Sequence, residues 1–163
     1  MRFIMRSPVP KSSAGRPTRE QAEARHEALL DTALDMFLDK GFELTTIDAV
    51  AARLGMTKRT VYARHTDKAA LFRAAVDRAV KRYTVPIETV RASETGDLEE
   101  TLARVAHIRI ANLMTAEGLR LQRVLYAEGC RFPEIFDRFY AEAAKPTVDY
   151  LVDLLRRKGK SGE

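Results

Sequence analysis

The chain has 163 residues, 45% of them hydrophobic, and a formal net charge of +5, so its length allows one domain or a small domain joined to a second bundle. Its single cysteine, Cys130, excludes an intramolecular disulfide. No run approaches the roughly 18 apolar residues of a membrane helix, and the opening residues MRFIMRSPVP lack the apolar segment of a secretory signal. We therefore expect a soluble, cytoplasmic protein with no membrane partner.

The positive charge is concentrated in two regions. Residues 51–82 carry nine Lys and Arg against two Asp, which gives +7, and residues 1–25 carry six against two Glu, which gives +4. Localised positive charge is what a polyanion such as DNA requires of a protein. The alternative is a solvated helix face, which explains most charge runs. The sequence motif within residues 51–82 has to decide between a DNA-binding surface and a solvated helix face.

The chain opens with residues that lack any periodic pattern. Residues 1–18 contain three of the six prolines, so we interpret them as a flexible basic arm. Arg16 in this arm is a candidate for a narrow minor groove, with a disordered basic tail as the alternative. Apolar residues at i, i+4 and i+7 spacing then predict a helix from about Arg19 to Lys40, ended by Gly41.

Each of the three helices that follow has an N-cap signal. The signals are Thr45 with Asp48 as a capping box, then Thr57, then Asp67. Gly55 separates the first two of these helices. Two very short helices around a glycine turn, flanked by longer ones, are typical of a helix-turn-helix. We place this motif at residues 46–65, within a DNA-binding domain at residues 19–83.

A helix-turn-helix needs a small residue where the helices cross, a residue that can turn and an apolar residue that anchors the second helix. Ala51, Gly55 and Val61 supply these at the relative spacing 0, 4 and 10. The outward face of the second helix carries hydroxyls and cations, which can reach phosphates and base edges together. Arg59 is the candidate for bidentate contact with guanine, because its planar fork matches two acceptors on that base.

The segment DTALDMFLDKGFELTTIDAVAARLGMTKRTVYARHTDKAALFRAAV resembles the DNA-binding domain of the TetR family of transcriptional regulators. The resemblance covers roughly residues 23–83. The features shared with members are Phe37, Gly41-Phe42, Thr45-Thr46, Tyr62 and Lys68. The downstream segment RVLYAEGCRFPEIFDRFYAE is similar to the regulatory half of the AefR-like branch. The resemblance implies a ligand-responsive repressor that binds a palindromic operator in double-stranded DNA as a homodimer and responds to a small-molecule effector.

Nine residues are the DNA-contact candidates that the motif and the resemblance imply. They are Thr46, Thr57, Lys58, Arg59, Thr60, Tyr62, Arg64, His65 and Lys68. By the resemblance, Lys68 meets a phosphate from the start of the fourth helix. His65 stands where many relatives have a bulky apolar residue, so we expect its ring to pack with a hydrogen bond to backbone; direct phosphate contact is the alternative. Ala63 stands where relatives often carry an aromatic residue, which leaves Tyr62 as the aromatic residue of this face.

Residues 84–163 predict a helical ligand-binding and dimerisation domain. Four helices are expected: one opened by Asp97 with Glu100 and running to about Met114, one from about Glu117 to Gly129, one over FPEIFDRFYAE, and one opened by Pro146. No segment alternates like a strand. The predicted fold class is therefore all-α, with an N-terminal three-helix DNA-binding domain that contains the helix-turn-helix, followed by a C-terminal helical regulatory bundle.

Two charged residues of the predicted bundle fall on apolar helix stripes. Arg109, with Asn112 beside it, lies on the stripe of its helix that should face inward, and Glu128 does so on the next helix. A buried charge needs a partner, so we expect an Arg109–Glu128 ion pair. The alternative is an arginine that awaits an anionic or carbonyl ligand. On that alternative the ligand-binding candidates are Arg109, Asn112, Tyr126 and Glu128.

The sequence shows no spacing that is typical of metal ligands and no constellation of nucleophile and base. We therefore expect a protein that is not an enzyme, with no catalytic residues, no metal and no cofactor. A small helical enzyme is the remote alternative, and it would need Arg109, Tyr126 and Glu128 to converge on one pocket. Cys130 has no clear cationic activator and is expected to be inert packing.

The chain ends at RRKGKSGE, where similar proteins continue with further helices used in dimerisation. We therefore expect a regulatory half that is shortened at its C-terminus. A truncated DNA-binding regulator with impaired dimerisation and no ligand response is the alternative function. The last predicted helix offers for burial Val148, Leu151, Val152, Leu154 and Leu155. This stripe has a spare flank, which we expect to stay exposed and to support a weaker homodimer.

Overall fold

The computed structural model describes residues 18–161, and every regular element in that range is helical. The bounds are α1 Arg19–Leu44, α2 Ile47–Arg53, α3 Lys58–Tyr62, α4 Lys68–Tyr83, α5 Ile87–Arg91, α6 Leu98–Leu113, α7 Ala116–Glu128, α8 Pro133–Phe139, a π-helical turn Tyr140–Ala144 and α9 Lys145–Ser161. The predicted all-α class is confirmed. Apart from Thr18, the predicted arm with Arg16 lies outside the described residues. Of the helices described, none has the length and apolar character needed to span a membrane.

The first helix begins at a capping box and bends at a glycine. The Thr18 hydroxyl accepts from the Gln21 N–H at 3.2 Å, and the Gln21 side chain accepts from the Thr18 N–H at 3.1 Å. Gly41 has φ +79°, a conformation that a residue without Cβ adopts without strain. Helical structure continues to Leu44 after this break, so the predicted stop at Gly41 is a kink.

The predicted capping box of Thr45 and Asp48 is wrong by one residue. Thr46 caps α2, and its exposed hydroxyl accepts an N–H of the first turn at 3.2 Å. Thr45 is instead fully buried, and its hydroxyl lies 3.0 Å from the Met36 carbonyl oxygen and 2.9 Å from that of Gly41. The kink at Gly41 leaves carbonyls at the end of α1 without helical partners, and Thr45 supplies a donor for them.

Most other helix starts follow from local signals. Asp97 accepts from the Glu100 N–H at 2.6 Å, which confirms the predicted start of α6. Thr57 and Asp67 cap α3 and α4 as expected. Thr115 provides the cap of α7. In each case the side-chain oxygen of the N-cap accepts from the backbone N–H three residues later, which has no carbonyl partner within the helix.

The main hydrophobic core crosses the boundary predicted at residues 83 and 84. Phe72 of α4 is fully buried, and its ring centroid lies 4.9 Å from that of Phe132, which precedes α8. Leu121, Val124 and Leu125 of α7 join the same cluster. Helices α7 and α8 therefore pack directly against α1 and α4 of the DNA-binding half.

A second, smaller core holds α5 to α6 and α9. Helix α5 was missed by the sequence analysis because its single turn after Pro86 buries one side chain, Val90, which is too little for a periodic pattern. Val90 packs in this core with Val105, Tyr150 and Leu154. The segment between the two halves is thus anchored to the last helix.

Helices α8 and α9 join through the π-helical turn. The N–H of Lys145 donates to the carbonyl of Tyr140, five residues earlier. Pro146 has no N–H, and its ring clashes with the carbonyl four residues before it in a regular α-helix. A wider turn at this point relieves the clash. Helix α9 begins at Lys145, so Pro146 lies in its first turn as predicted, and the π-helical turn joins it to α8 without a loop.

Helix α9 buries one flank and exposes the other. Tyr150 and Leu154 are 6% and 0% exposed, whereas Val148, Val152 and Leu155 are 41–49% exposed. The three exposed side chains recur at i, i+4 and i+7 and therefore share one stripe. The predicted exposed apolar flank of this helix is confirmed.

Candidate nucleic-acid interface

The crossing of α2 and α3 is built by the three residues that the spacing predicted. Ala51 is 2% exposed and Val61 is fully buried, so both pack where the helices meet. Gly55 turns the chain with φ +60°. With one side of α3 held in the core, its other side faces solvent. The geometry is that of a helix-turn-helix with α3 as the recognition helix.

The exposed side of α3 presents hydroxyls, cations and one aromatic ring. The Thr57 and Thr60 hydroxyls lie 2.8 Å apart, and Tyr62 is 45% exposed. Arg59 is exposed, and within residues 18–161 it has no ion pair. Its guanidinium is therefore available to an incoming acceptor without first breaking an internal contact.

Lys58 is less available than Arg59. Its ammonium group donates to Asp48 at 2.9 Å and lies 5.8 Å from the centre of the Tyr62 ring. The hydrogen bond and the charge of Asp48 raise the pKa of Lys58, so the side chain stays protonated. The pair is exposed on both sides, so its net contribution to stability is small. The contact holds the Lys58 side chain toward Asp48 of α2.

Lys68 lies at the start of α4 and is tied to the end of α1. Its ammonium group donates to the carbonyls of Phe42 and Glu43 at 2.8 and 3.1 Å and lies 4.4 Å from the centre of the Phe42 ring. An ammonium group has three donors. Two are used inside the protein, which leaves one for a phosphate.

His65 packs inward, as expected, but without the predicted hydrogen bond at its Nε2. The residue is 7% exposed, and its ring stacks on that of His26 with centroids 5.2 Å apart and planes at 17°. Neither Nε2 of His65 nor Nδ1 of His26, both buried, has a hydrogen-bond partner. Burial lowers the pKa of both imidazoles, and the charge of Arg64 adds to this. The stack joins α1 to the end of the recognition helix.

In the regulatory half, Arg109 and Asn112 line a cleft of about 260 Å³ together with residues of α4 and α7. Asn112 donates from Nδ2 to the carbonyl of Tyr83, the last residue of α4, at 2.9 Å. Burial lowers the pKa of Arg109. No ion-pair partner of Arg109 exists among the described residues. The cleft therefore contains a half-buried cation whose charge is uncompensated.

The predicted Arg109–Glu128 ion pair is wrong. Glu128 accepts from the backbone N–H of Phe42 at 3.2 Å, because α7 packs on α1 and its C-terminal end meets the kink of that helix. Tyr126 is 78% exposed and does not line the cleft. The structure thus brings Arg109 and Asn112 together and places Tyr126 and Glu128 elsewhere.

Three further observations concern Cys130, metal ligands and Arg25. Cys130 is exposed, so the expectation that it packs inside is wrong. Across residues 18–161 no three His, Cys, Asp or Glu side chains gather into a group that could hold a metal ion. Arg25 of α1 and Arg64 are among the residues that line a second cleft. The sequence alone does not point to Arg25, because no local motif links it to Arg64, 39 positions away.

Two family models match the chain. The model for bacterial regulatory proteins of the tetR family matches residues 29–75. The model for the C-terminal domain of AefR-like transcriptional repressors matches residues 100–163. The first match contains the helix-turn-helix, most of α1 and the first half of α4. The second covers α6 to the end of the chain.

Similar proteins are transcriptional regulators. The chain is 33% identical over 107 residues to the HTH-type transcriptional repressor ComR of Escherichia coli, a match that covers 66% of this chain and 49% of that protein. It is 26% identical over 149 residues to an uncharacterised HTH-type transcriptional regulator of Mycobacterium tuberculosis, covering 90% of this chain and 71% of the other. The chain thus spans about half the length of the Escherichia coli repressor.

A crystal structure of a TetR-family transcriptional regulator from Mesorhizobium loti has the same fold. It superposes with a TM-score of 0.69 at 28% sequence identity, over 88% of this chain and 72% of that one. The superposition covers both halves of the molecule, so the likeness extends beyond the helix-turn-helix.

Proposed function

Since the chain belongs to the TetR family of bacterial regulatory proteins, we propose that it is a DNA-binding transcriptional repressor whose recognition helix α3 reads a palindromic operator. The observation that carries the proposal is the two-sided character of α3. Val61 holds the helix in the core, and Arg59 on the opposite side is exposed and without an internal ion pair within the described range. Such a side chain can meet the two acceptors of guanine.

The remaining candidates divide by what they can contact. Thr57 and Thr60 offer hydroxyls at the start of α3, and Tyr62 offers an aromatic ring to the groove. Thr46 at the start of α2 and Arg64 and Lys68 beyond α3 suit phosphates. Lys58 contributes charge from its position near Asp48. His65, which is buried, acts by holding Arg64 and α3 in place.

The proposal includes a homodimer. Two half-sites on one face of DNA lie about 34–36 Å apart, so two recognition helices have to be held at that separation. The exposed flank of α9, formed by Val148, Val152 and Leu155, supplies apolar surface for a second copy. In a symmetric contact both copies bury the same side chains, so each position removes apolar surface from water on both subunits.

The proposal also includes a small-molecule effector in the cleft of Arg109. The half-buried guanidinium favours a ligand with a carboxylate or carbonyl oxygen, and the neighbouring walls are largely apolar. The cleft is lined by Tyr83 and Thr84 at the end of α4, and Asn112 donates to the Tyr83 carbonyl. A ligand there touches the helix that follows the recognition helix, so its binding can be coupled to DNA affinity.

The test is selection of bound duplexes from a random library. We expect enrichment of an inverted repeat whose half-site centres lie about one helical turn, or a multiple of it, apart. Failure to enrich any sequence would contradict the proposal. The effector is tested by thermal unfolding with a panel of carboxylic acids, in which a binder raises the unfolding temperature of the parent and not of an Arg109→Met variant.

A further inference from the structure

A second cleft, of about 280 Å³, lies between the N-terminal half of α1 and the turn that leads into α3. From α1 it is lined by Arg25 and His26, and from α3 and the residues flanking that helix by Thr57, Thr60 and Arg64. The cleft therefore joins the proposed DNA-reading face to a helix outside the helix-turn-helix.

The charge of this cleft is not compensated. Within residues 18–161 neither Arg25 nor Arg64 has an ion pair, and none of the residues that line the cleft carries a carboxylate. Other arginines of the same domain are paired: Arg73 with Glu134, and Arg78 with Asp31. Two guanidinium groups that line one concavity create a positive potential that favours an anion.

The cleft also has neutral donors to offer. The Thr57 and Thr60 hydroxyls lie 2.8 Å apart, so one hydroxyl hydrogen bridges them and the other is free to donate outward. Guanidinium groups with a hydroxyl donor are the set that phosphate oxygens accept from in proteins.

We propose that this cleft binds a phosphate of the DNA backbone, with Arg25 of α1 as a contact outside the helix-turn-helix. The inference rests on the proposed DNA binding. The phosphate source is DNA because the cleft shares Thr57, Thr60 and Arg64 with the exposed part of α3, so DNA that reaches α3 has its backbone at the cleft. Arg25 sets the position of α1 on the duplex and reads no base.

The test measures how DNA affinity depends on salt for the Arg25→Gln variant. Each phosphate contact contributes about 0.9 to the slope of log affinity against log salt. The slope should fall by about 0.9 per bound protomer. The loss of affinity between 50 and 200 mM salt should then be about 3.5-fold smaller than in the parent, on the operator and on a random-sequence duplex alike. Arg25→Lys, which keeps the charge, should keep the slope.

The matched control is Arg123→Gln on α7, which removes the same charge from an exposed site of the regulatory half and should leave the slope unchanged. Glutamine is a good helix former, and thermal unfolding verifies that each variant is folded. A parent that binds no DNA overturns the proposed function itself. A parent that binds normally, with an Arg25→Gln variant of unchanged slope, overturns this inference alone. If that variant instead loses only stabilisation by inorganic phosphate, the cleft belongs to a small anion and the DNA contact is wrong.

Discussion

The ammonium group of Lys68 donates to the backbone carbonyl of Phe42 across 2.8 Å and lies over the ring of the same residue. The contact links the first residue of α4 to the last turn of α1, next to the proposed DNA surface. We therefore propose two roles for Lys68, which a single substitution would affect together. It orders the end of α1 and leaves one donor for a phosphate.

Replacing Lys68 with Ala should weaken both stability and DNA binding. The loss of charge-assisted hydrogen bonds to Phe42 and Glu43 should cost about 1.5–3 kcal/mol of unfolding free energy. Affinity should fall for all sequences alike, with a salt slope lower by about one unit. Lys81→Ala, an exposed lysine of the same helix, is the control for charge. Unchanged urea denaturation and an unchanged slope would contradict both parts.

Replacing Arg59 with Ala should cost about 1–3 kcal/mol on the operator and relax the base preference at one position. The reason is the loss of a bidentate contact that distinguishes guanine from the other bases. Fluorescence anisotropy on the operator and on its single-base variants measures the effect. Arg123→Ala on α7 removes an equal charge and should change neither quantity. An Arg59→Ala variant with the base preferences of the parent would show that Arg59 contacts no base.

Arg109→Met should leave the unfolding free energy within about 1 kcal/mol of the parent. Breaking a buried ion pair would cost about 3–5 kcal/mol, but Arg109 has no ion-pair partner among the described residues. In a double variant with Glu128→Gln, the changes in unfolding free energy caused by the two substitutions should add to within about 0.5 kcal/mol, as for independent sites. Chemical denaturation of the four proteins measures this. A larger coupling energy would show that the two side chains interact.

Stability should fall as the pH drops below about 6.5, where free histidine takes up a proton. Burial lowers the pKa of His26 and His65 in the folded protein. Between the ordinary and the lowered pKa the unfolded chain binds more protons than the folded one, so acid favours unfolding; above pH 6.5 the two states bind equally. For His26, Arg64 and Arg78 add to the lowering, and Glu23 and Glu27 oppose it.

His65→Leu should therefore flatten the loss of stability below pH 6.5, because it removes one of the two groups. Leucine also suits the packing at this buried position. Urea denaturation of parent and variant at a series of pH values provides the measurement. A variant whose stability falls with pH as steeply as that of the parent would exclude His65 as a source of the dependence.

Val152→Glu should weaken self-association by tenfold or more. Val152 lies on the exposed apolar flank of α9, and burying a side chain of this size contributes about 1.5–3 kcal/mol, where about 1.4 kcal/mol is a factor of ten. Sedimentation across a concentration series compares the variant with the parent. If the parent is a monomer throughout, or if the variant associates as tightly, this flank is not the dimer contact.

The local features of this fold follow from the sequence. The N-caps Thr57, Asp67 and Asp97 satisfy donors three residues away, so each helix start is predictable from a short window of residues. The same holds for Gly55, whose backbone conformation is one that glycine adopts without strain. The helix-turn-helix is a local motif of this kind, so the spacing of its residues is enough to identify those at the helix crossing.

Other features needed the tertiary structure because they join residues distant in sequence. An apolar stripe shows which side of a helix faces inward but not which neighbour it meets. Glu128 therefore pairs with the backbone of Phe42, 86 residues away, and not with Arg109. The stack of His26 on His65 likewise depends on how α1 lies against α3. The sequence by itself determined most of the helices, the caps of α3, α4 and α6 and the helix-turn-helix, because these depend on residues close together in the chain, whereas packing alone decided which charges are left without an ion pair.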